Sequence, residues 1–295
     1  MSPFFSSALL LVLMFTASTV MAVTPVNFHE AADFYWGNQL ADISDGGKAL
    51  TMSLVNSSGC GFVSYNSYLF GRFDMHIKLV PGNSAGTVTT YYLSSAGAYH
   101  SEIDFEFLGN LSGQPYICST NVFANGIGGR EQQIHLWFDP TTEYHKFSIV
   151  WNSLRIVWMI NEIPIRVFNN NEAIGIPFPN SQAMNYFSSI WDGSSWATEG
   201  GRIKADWSQA PFVASFKNFI VDSCEGSTGL TSCCSSSSGS TITSIEALGA
   251  QDLDSEILKM LAWVEDNHML YSYCNDHKRF PMGFPRECYQ PRFRQ

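Results

Sequence analysis

The chain has 295 residues, with 16 Lys+Arg against 26 Asp+Glu, a formal charge of -10, and only 14% charged residues in all. A hydrophobic content of 45% and an aromatic content of 14% exclude a disordered chain and a coiled coil, while the acidic balance argues against nucleic acids and acidic membranes as partners. Few charges beside 8 Trp, 12 Tyr and 22 Phe suit a neutral ligand with flat apolar faces, of which sugars are one class.

Residues 1–22 contain no Lys, Arg, Asp or Glu, and the apolar run from Ala8 to Phe15 leads to Val20-Met21-Ala22. A short apolar core ending in a small-x-small site is the pattern of a secretory signal, cleaved here after Ala22. A membrane span needs ~20 apolar residues, and Ser18 and Thr19 interrupt too early. A soluble, secreted mature chain is therefore expected. Its seven cysteines then imply disulfides, with an odd one left over. No C-x-x-C pair occurs and no H-E-x-x-H, so neither a metal site nor any cofactor is expected.

Strand signals dominate residues 45–222. From Arg72 to Leu79, Phe73, Met75, Ile77 and Leu79 point one way and Arg72, Asp74, His76 and Lys78 the other, the period of two of a half-buried strand. Further β-rich runs are Thr87–Leu93, Ile134–Phe138, Phe147–Trp151, Arg155–Ile160, Ile163–Phe168 and Phe212–Val221, separated by turn residues such as Asn125-Gly126. Many short strands predict an all-β fold, an antiparallel β-sandwich or jelly roll, over residues 23–222. The segment Gly82-Asn83-Ser84-Ala85-Gly86 matches G-x-S-x-G, but strand-like sequence on both sides predicts a hairpin and not a nucleophile elbow. Gly126 to Gly129 lacks the helix that a phosphate loop needs. Residues 223–295 read as an extension: a Ser-rich loop, then Leu253, Ile257, Leu258, Leu261 and Val264 at helical spacing behind an Asp252 or Asp254 cap.

His100 to Asn110 reads HSEIDFEFLGN. On a strand, Glu102, Asp104 and Glu106 share one face, and Ile103, Phe105 and Phe107 the other. Three carboxylates on one face repel each other, a cost that is bland on a solvated strand and useful in glycosidic bond cleavage. A retaining glycosidase needs one carboxylate as nucleophile and one carboxylic acid about 5–5.5 Å away. Asp104 between them can hold the nucleophile and bias the proton.

These residues resemble the xyloglucan endotransglucosylases/hydrolases, a plant cell-wall branch of glycoside hydrolase family 16, whose strand reads HDEIDFEFLG. The resemblance continues through YLFGRFDMHIKLVPGNSAGTVTTYYLSS, TNVF, GGREQQIHLWFDPT, PIRVF, SIWDGSSWATEGGRIKADW and APFVASF to YSYC and RFPMGFPREC. It implies a curved catalytic sheet, with Glu102 as nucleophile, Glu106 as general acid/base and Asp104 as the assisting carboxylate. It also implies sugar contacts from Asn121, Arg130, Trp191 and Trp196, with Tyr91 and Tyr273 as further candidates and Tyr271 beside them. Disulfides Cys224–Cys233 and Cys274–Cys288 follow from the family spacing, with Cys234 competing for the first.

Four positions depart from the pattern. Ser101 replaces Asp on the face opposite the carboxylates. Ser119 replaces Gln two residues before Asn121, which touches one substrate hydrogen bond. Cys60 and Cys118 are extra cysteines, able to pair with each other or stay free. Asn110-Leu111-Ser112 is an N-glycosylation sequon where the family often has one, and Asn56-Ser57-Ser58 is another.

The resemblance implies a monomeric, retaining, endo-acting transferase acting on xyloglucan donor and acceptor chains in the cell wall. The WDGSSWAT region shows no extra residues of the kind that mark hydrolysing members, so transfer is expected over hydrolysis. The alternatives are an endohydrolase and an inactive carbohydrate-binding jelly roll.

Overall fold

The structure is a computed structural model that describes residues 24–223 and 253–290. Two antiparallel sheets make up almost all of it. The first has eight strands in spatial order: β1 (Ala32–Trp36), β4 (Cys60–Tyr68), β13 (Met184–Asp192), β6 (Thr87–Ser94), β7 (Glu102–Leu108), β8 (Ile117–Phe123), β9 (Gln132–His135) and β15 (Met269–Ser272). The second has seven: β12 (Ile163–Asn169), β11 (Arg155–Ile160), β10 (His145–Trp151), β5 (Gly71–Lys78), β14 (Phe212–Asp222), β3 (Ala49–Leu54) and β2 (Ala41–Ser44). This is the antiparallel jelly-roll sandwich that the strand pattern predicts. That pattern does not single out β1 to β4, β8, β13 or β15. In β1 and β2 no residue is fully buried, so an outlying strand carries little apolar signal.

The core lies between the sheets, and the alternation in each strand puts it there. On β7, Ile103, Phe105 and Phe107 are fully buried. Phe105 and Phe107 meet the edge of Phe147 from the second sheet at centroid distances of 5.7 and 4.6 Å. Phe73, Met75 and Ile77 of β5 point into the same core, as their spacing predicts. Asp74, read as an outward residue, is only 6% exposed. Arg72 donates to both its carboxylate oxygens at 2.8 and 3.0 Å, which offsets the desolvation.

The Gly82–Gly86 segment is not a hairpin. It carries the chain from β5 in one sheet to β6 in the other. Ser84 is fully buried there and bonded to the backbone of Asn110, which leaves it no role as a nucleophile. Gly86, at φ +78, lies where an added Cβ would meet the Ala205 nitrogen at 2.5 Å. The Gly193 N–H donates to the Gly86 carbonyl and so ties down the loop after β13.

In the extension, helix α2 (Ser255–His268) follows the short α1 (Phe28–Ala31). Asp254 is its cap, accepting from the backbone N–H groups of Glu256 and Ile257. Leu253, Ile257 and Leu261 pack on Val150, Val157 and Met159, the outward face of the second sheet. The chain then returns to the first sheet as β15, pairing with β9. Cys274 and Cys288 are disulfide-bonded, with Cα atoms 5.3 Å apart. Cys60 and Cys118 are buried free thiols, on β4 and β8, and do not pair with each other. The signal segment, Cys224, Cys233 and Cys234 lie outside the described residues.

Candidate active site

The register of the first sheet assembles the site on its outer face. Thr90 of β6 pairs with Glu106, and Tyr92 with Asp104. On the other side of β7, Asp104 pairs with Asn121 and Glu106 with Ser119. Ser189 of β13 stands beside Thr90. Because side chains alternate, all of these share the face that the core does not use. A cavity of about 200 Å³ is lined by Thr90, Tyr92, Glu102, Asp104, Glu106, Ser189 and Trp191.

Packing three carboxyl groups together in a half-dry cavity raises the proton affinity of Asp104 and Glu106. Asp104 is pushed well above the usual carboxylate range, first by burial and then by the charges of Glu102 and Glu106. Its side chain borders that of Glu102 in the cavity. Glu106 is pushed up to about 7, by burial first, then by Glu131 and Glu102. From the core side, the Trp158 indole donates to the Asp104 carbonyl at 2.9 Å, fixing the strand at its middle. The set therefore holds two carboxyl groups of raised proton affinity, Asp104 and Glu106, on the same face as Glu102, an arrangement that can serve acid/base chemistry.

Trp191 lines the cavity, and Trp196 stands 6.0 Å from it, 37% exposed, so both indoles are available to a sugar face. Their loop is held by Thr198, whose hydroxyl donates to the Gly109 carbonyl and accepts from the Gly86 N–H, both at 2.8 Å. Asn121 sits on the cleft face, its Oδ1 accepting from the N–H groups of Val122 and Arg130.

Three expected sugar contacts turn inward. Tyr91 is fully buried and stacked on Phe105, because odd-numbered residues of β6 face the core. Its neighbour Tyr92 is the tyrosine in the cavity. Arg130 is 5% exposed, with its Nε donating to Glu287 at 2.7 Å and its Nη1 to the Ile127 carbonyl at 2.6 Å. Tyr273, 3% exposed, reaches the same Glu287 at 3.5 Å. Both residues fasten the extension instead of lining the cleft. Ser101 is buried, its N–H donating to Ser95 Oγ, and lies off the carboxylate face as its parity predicts. Asn110 opens the loop just past β7 and borders a second cavity of about 460 Å³, while Asn56 is exposed in a tight turn.

Glu131, Arg166, Thr90, Tyr92 and Ser189 are site residues without a signal of their own in the strand pattern. Arg166 is buried in PIRVF, donating to Thr120 and to the Arg130 carbonyl beneath the cleft. Burial brings it down to about 10. Only the parity of β6 and β13 relative to β7 could have pointed to Thr90, Tyr92 and Ser189, and nothing of that kind points to Glu131, which precedes β9.

Residues 28–209 match the family described as glycosyl hydrolases family 16, and residues 236–288 match the xyloglucan endo-transglycosylase C-terminus. The chain belongs to glycosyl hydrolase family 16 and, within it, to the xyloglucan endotransglucosylase/hydrolases. It is 51% identical to xyloglucan endotransglucosylase protein 1 of Diospyros kaki over 96% of this chain and 94% of that protein. To the probable xyloglucan endotransglucosylase/hydrolase protein 16 of Arabidopsis thaliana it is also 51% identical, over 90% and 91%. Among solved structures, a prokaryotic β-1,3-1,4-glucanase from a mouse hindgut metagenome shares the fold at TM-score 0.51 and 20% identity, covering 65% of this chain and 92% of that one. The Crh5 transglycosylase shares it at 0.52 and 20%, covering 66% and 78%.

Proposed function

We propose that the chain is a retaining, endo-acting xyloglucan endotransglucosylase that cuts the β-1,4-glucan backbone and passes the new end to another xyloglucan chain. What supports this reading is the placement of Glu102, Asp104 and Glu106 on one strand face in one cavity, in a family whose named members include xyloglucan endotransglucosylases. Glu102 attacks the anomeric carbon, forming an ester as the bond to the leaving oxygen breaks. Glu106 gives its proton to that oxygen. Asp104, kept protonated by burial, donates to Glu102, so the nucleophile stays a carboxylate. In the second half the acceptor's 4-hydroxyl attacks, Glu106 takes its proton, and Glu102 is released.

Trp191 and Trp196 give the sugar its platform, and Asn121 a polar edge. Acceptor binding decides the outcome, since bulk water at ~55 M competes for the same ester. The rest of the reading is a secreted, cell-wall-acting monomer. Residues 1–22 are removed, residues 23–222 form the hydrolase-like unit and 223–295 the extension. Cys224–Cys233 forms a second bridge, and Asn110 carries an N-glycan. The test is incubation with xyloglucan and a labelled xyloglucan oligosaccharide. Label entering polymer supports transfer. Reducing ends that rise regardless of the acceptor would show a hydrolase, and no turnover a binding protein.

A further inference from the structure

We propose that Glu131 is a positioning residue for the acid/base step, its carboxylate held by Ser119 of β8, the strand next to Glu106, and by Gln133 of β9 beyond it, so that Glu106 keeps its proton. The inference rests on the reading of Glu106 as the acid/base. Glu106, Ser119 and Gln133 form one row across β7, β8 and β9. Adjacent strands are ~4.8 Å apart, so Ser119 alone separates the Glu106 strand from the Gln133 strand on this face. One oxygen of Glu131 accepts from the Ser119 hydroxyl and from the Gln133 amide, both at 2.8 Å. Ser119 holds the carboxylate at β8, the strand beside Glu106, while Gln133 fixes it from β9. Ser119 is fully buried and short, so no longer side chain at that position stands between the two carboxyl groups.

The surroundings leave Glu131 little competition. On its own strand Glu106 faces Glu102 and the buried Asp104. Thr90, Ser189 and Trp191 lie on the far side without charge, beside Tyr92. Beneath, the Arg166 guanidinium interacts with Asp104 and Glu131. Burial does most to raise Glu106, and the charges of Glu131 and Glu102 add to it. A like charge in a partly screened site favours the protonated acid without touching substrate. The residue makes and breaks no bond.

The experiment is a pH profile of polymer-to-oligosaccharide transfer by the full chain, comparing wild type with Glu131→Gln, Glu131→Asp and Ser119→Ala. Glu131→Gln should move the alkaline limb of kcat to lower pH by about half a unit to one unit, a loss of roughly three- to tenfold at pH 8 relative to wild type once each is normalised to its own acidic plateau. Glu131→Asp restores the charge and should move the limb back. Ser119→Ala removes one of the two donors and should shift it the same way by less, which keeps the test alive if Glu131→Gln does not fold. A limb that stays in place in both Glu131→Gln and Ser119→Ala, with KM raised instead, overturns the proposal and makes Glu131 a sugar contact. Glu106→Gln separates the two ideas: if it still transfers to polymer, the acid assignment itself fails.

Discussion

Glu287→Leu removes the partner of a buried guanidinium. In the Arg130–Glu287 pair the side chains are 6% and 10% exposed and 2.7 Å apart. Without Glu287, Arg130 keeps the Ile127 carbonyl at 2.6 Å and the face of Phe168 at 5.6 Å, neither of which carries a charge. Removing one member of a buried ion pair costs about 3–5 kcal/mol, mostly from the charge left behind. Replacing both, in Arg130→Met/Glu287→Leu, removes that stranded charge and should recover most of the loss. The coupling between the two sites should then be at least ~2 kcal/mol. Urea denaturation followed by tryptophan fluorescence measures this, alongside KM for xyloglucan. The reasoning is refuted if Glu287→Leu costs under ~1 kcal/mol, or if Arg130→Met raises KM tenfold with stability intact. The second outcome would mean that Arg130 serves the cleft after all.

Transfer should decline as pH rises through about 7, because Glu106 loses the proton that the leaving oxygen needs. Glu106→Gln should abolish that limb together with polymer turnover, while a substrate with a good leaving group retains more rate; a pH–rate profile on both substrates checks it. Tyr91→Phe removes a buried hydroxyl with no hydrogen-bond partner among the described residues, so stability should hold or rise by up to ~1 kcal/mol. A threefold change in KM for this variant would show that Tyr91 reaches the cleft. Opening the Cys274–Cys288 bridge, which closes 14 positions, should lower stability by about 3 kcal/mol in the chain-entropy model. Equal urea midpoints for the wild type and the Cys274→Ser/Cys288→Ser variant would refute that figure.

The carboxylate strand was legible because everything it needs is contiguous. Glu102 to Phe107 alternates strictly, so one parity fixes both the core face and the cleft face. Helix α2 was legible for the same reason, with its cap two residues before Glu256. What stayed hidden depends on strands that meet only after folding. Arg130 reads as a polar cleft residue until Glu287, 157 positions on, comes beside it. Tyr91 and Tyr92 are chemically alike in sequence, and only the pairing of Tyr91 with Phe105 sends the first inward. Ser119 read as the loss of a substrate bond; folded, it is the hydroxyl that holds Glu131.

Strand β15 is the last strand among the described residues, yet its neighbour β9 ends at His135 and β15 begins at Met269, 134 positions later (269 − 135 = 134). A ribosome adding ~5–20 residues per second takes roughly 7 to 27 s to cover that distance. Throughout that interval the flank of β9 has no partner from its own chain, and a bare strand edge is a template for pairing with any other extended segment. Nascent chains that stall before Met269 should therefore be the ones that associate with each other and draw chaperones. Synthesis of the final segment closes that window.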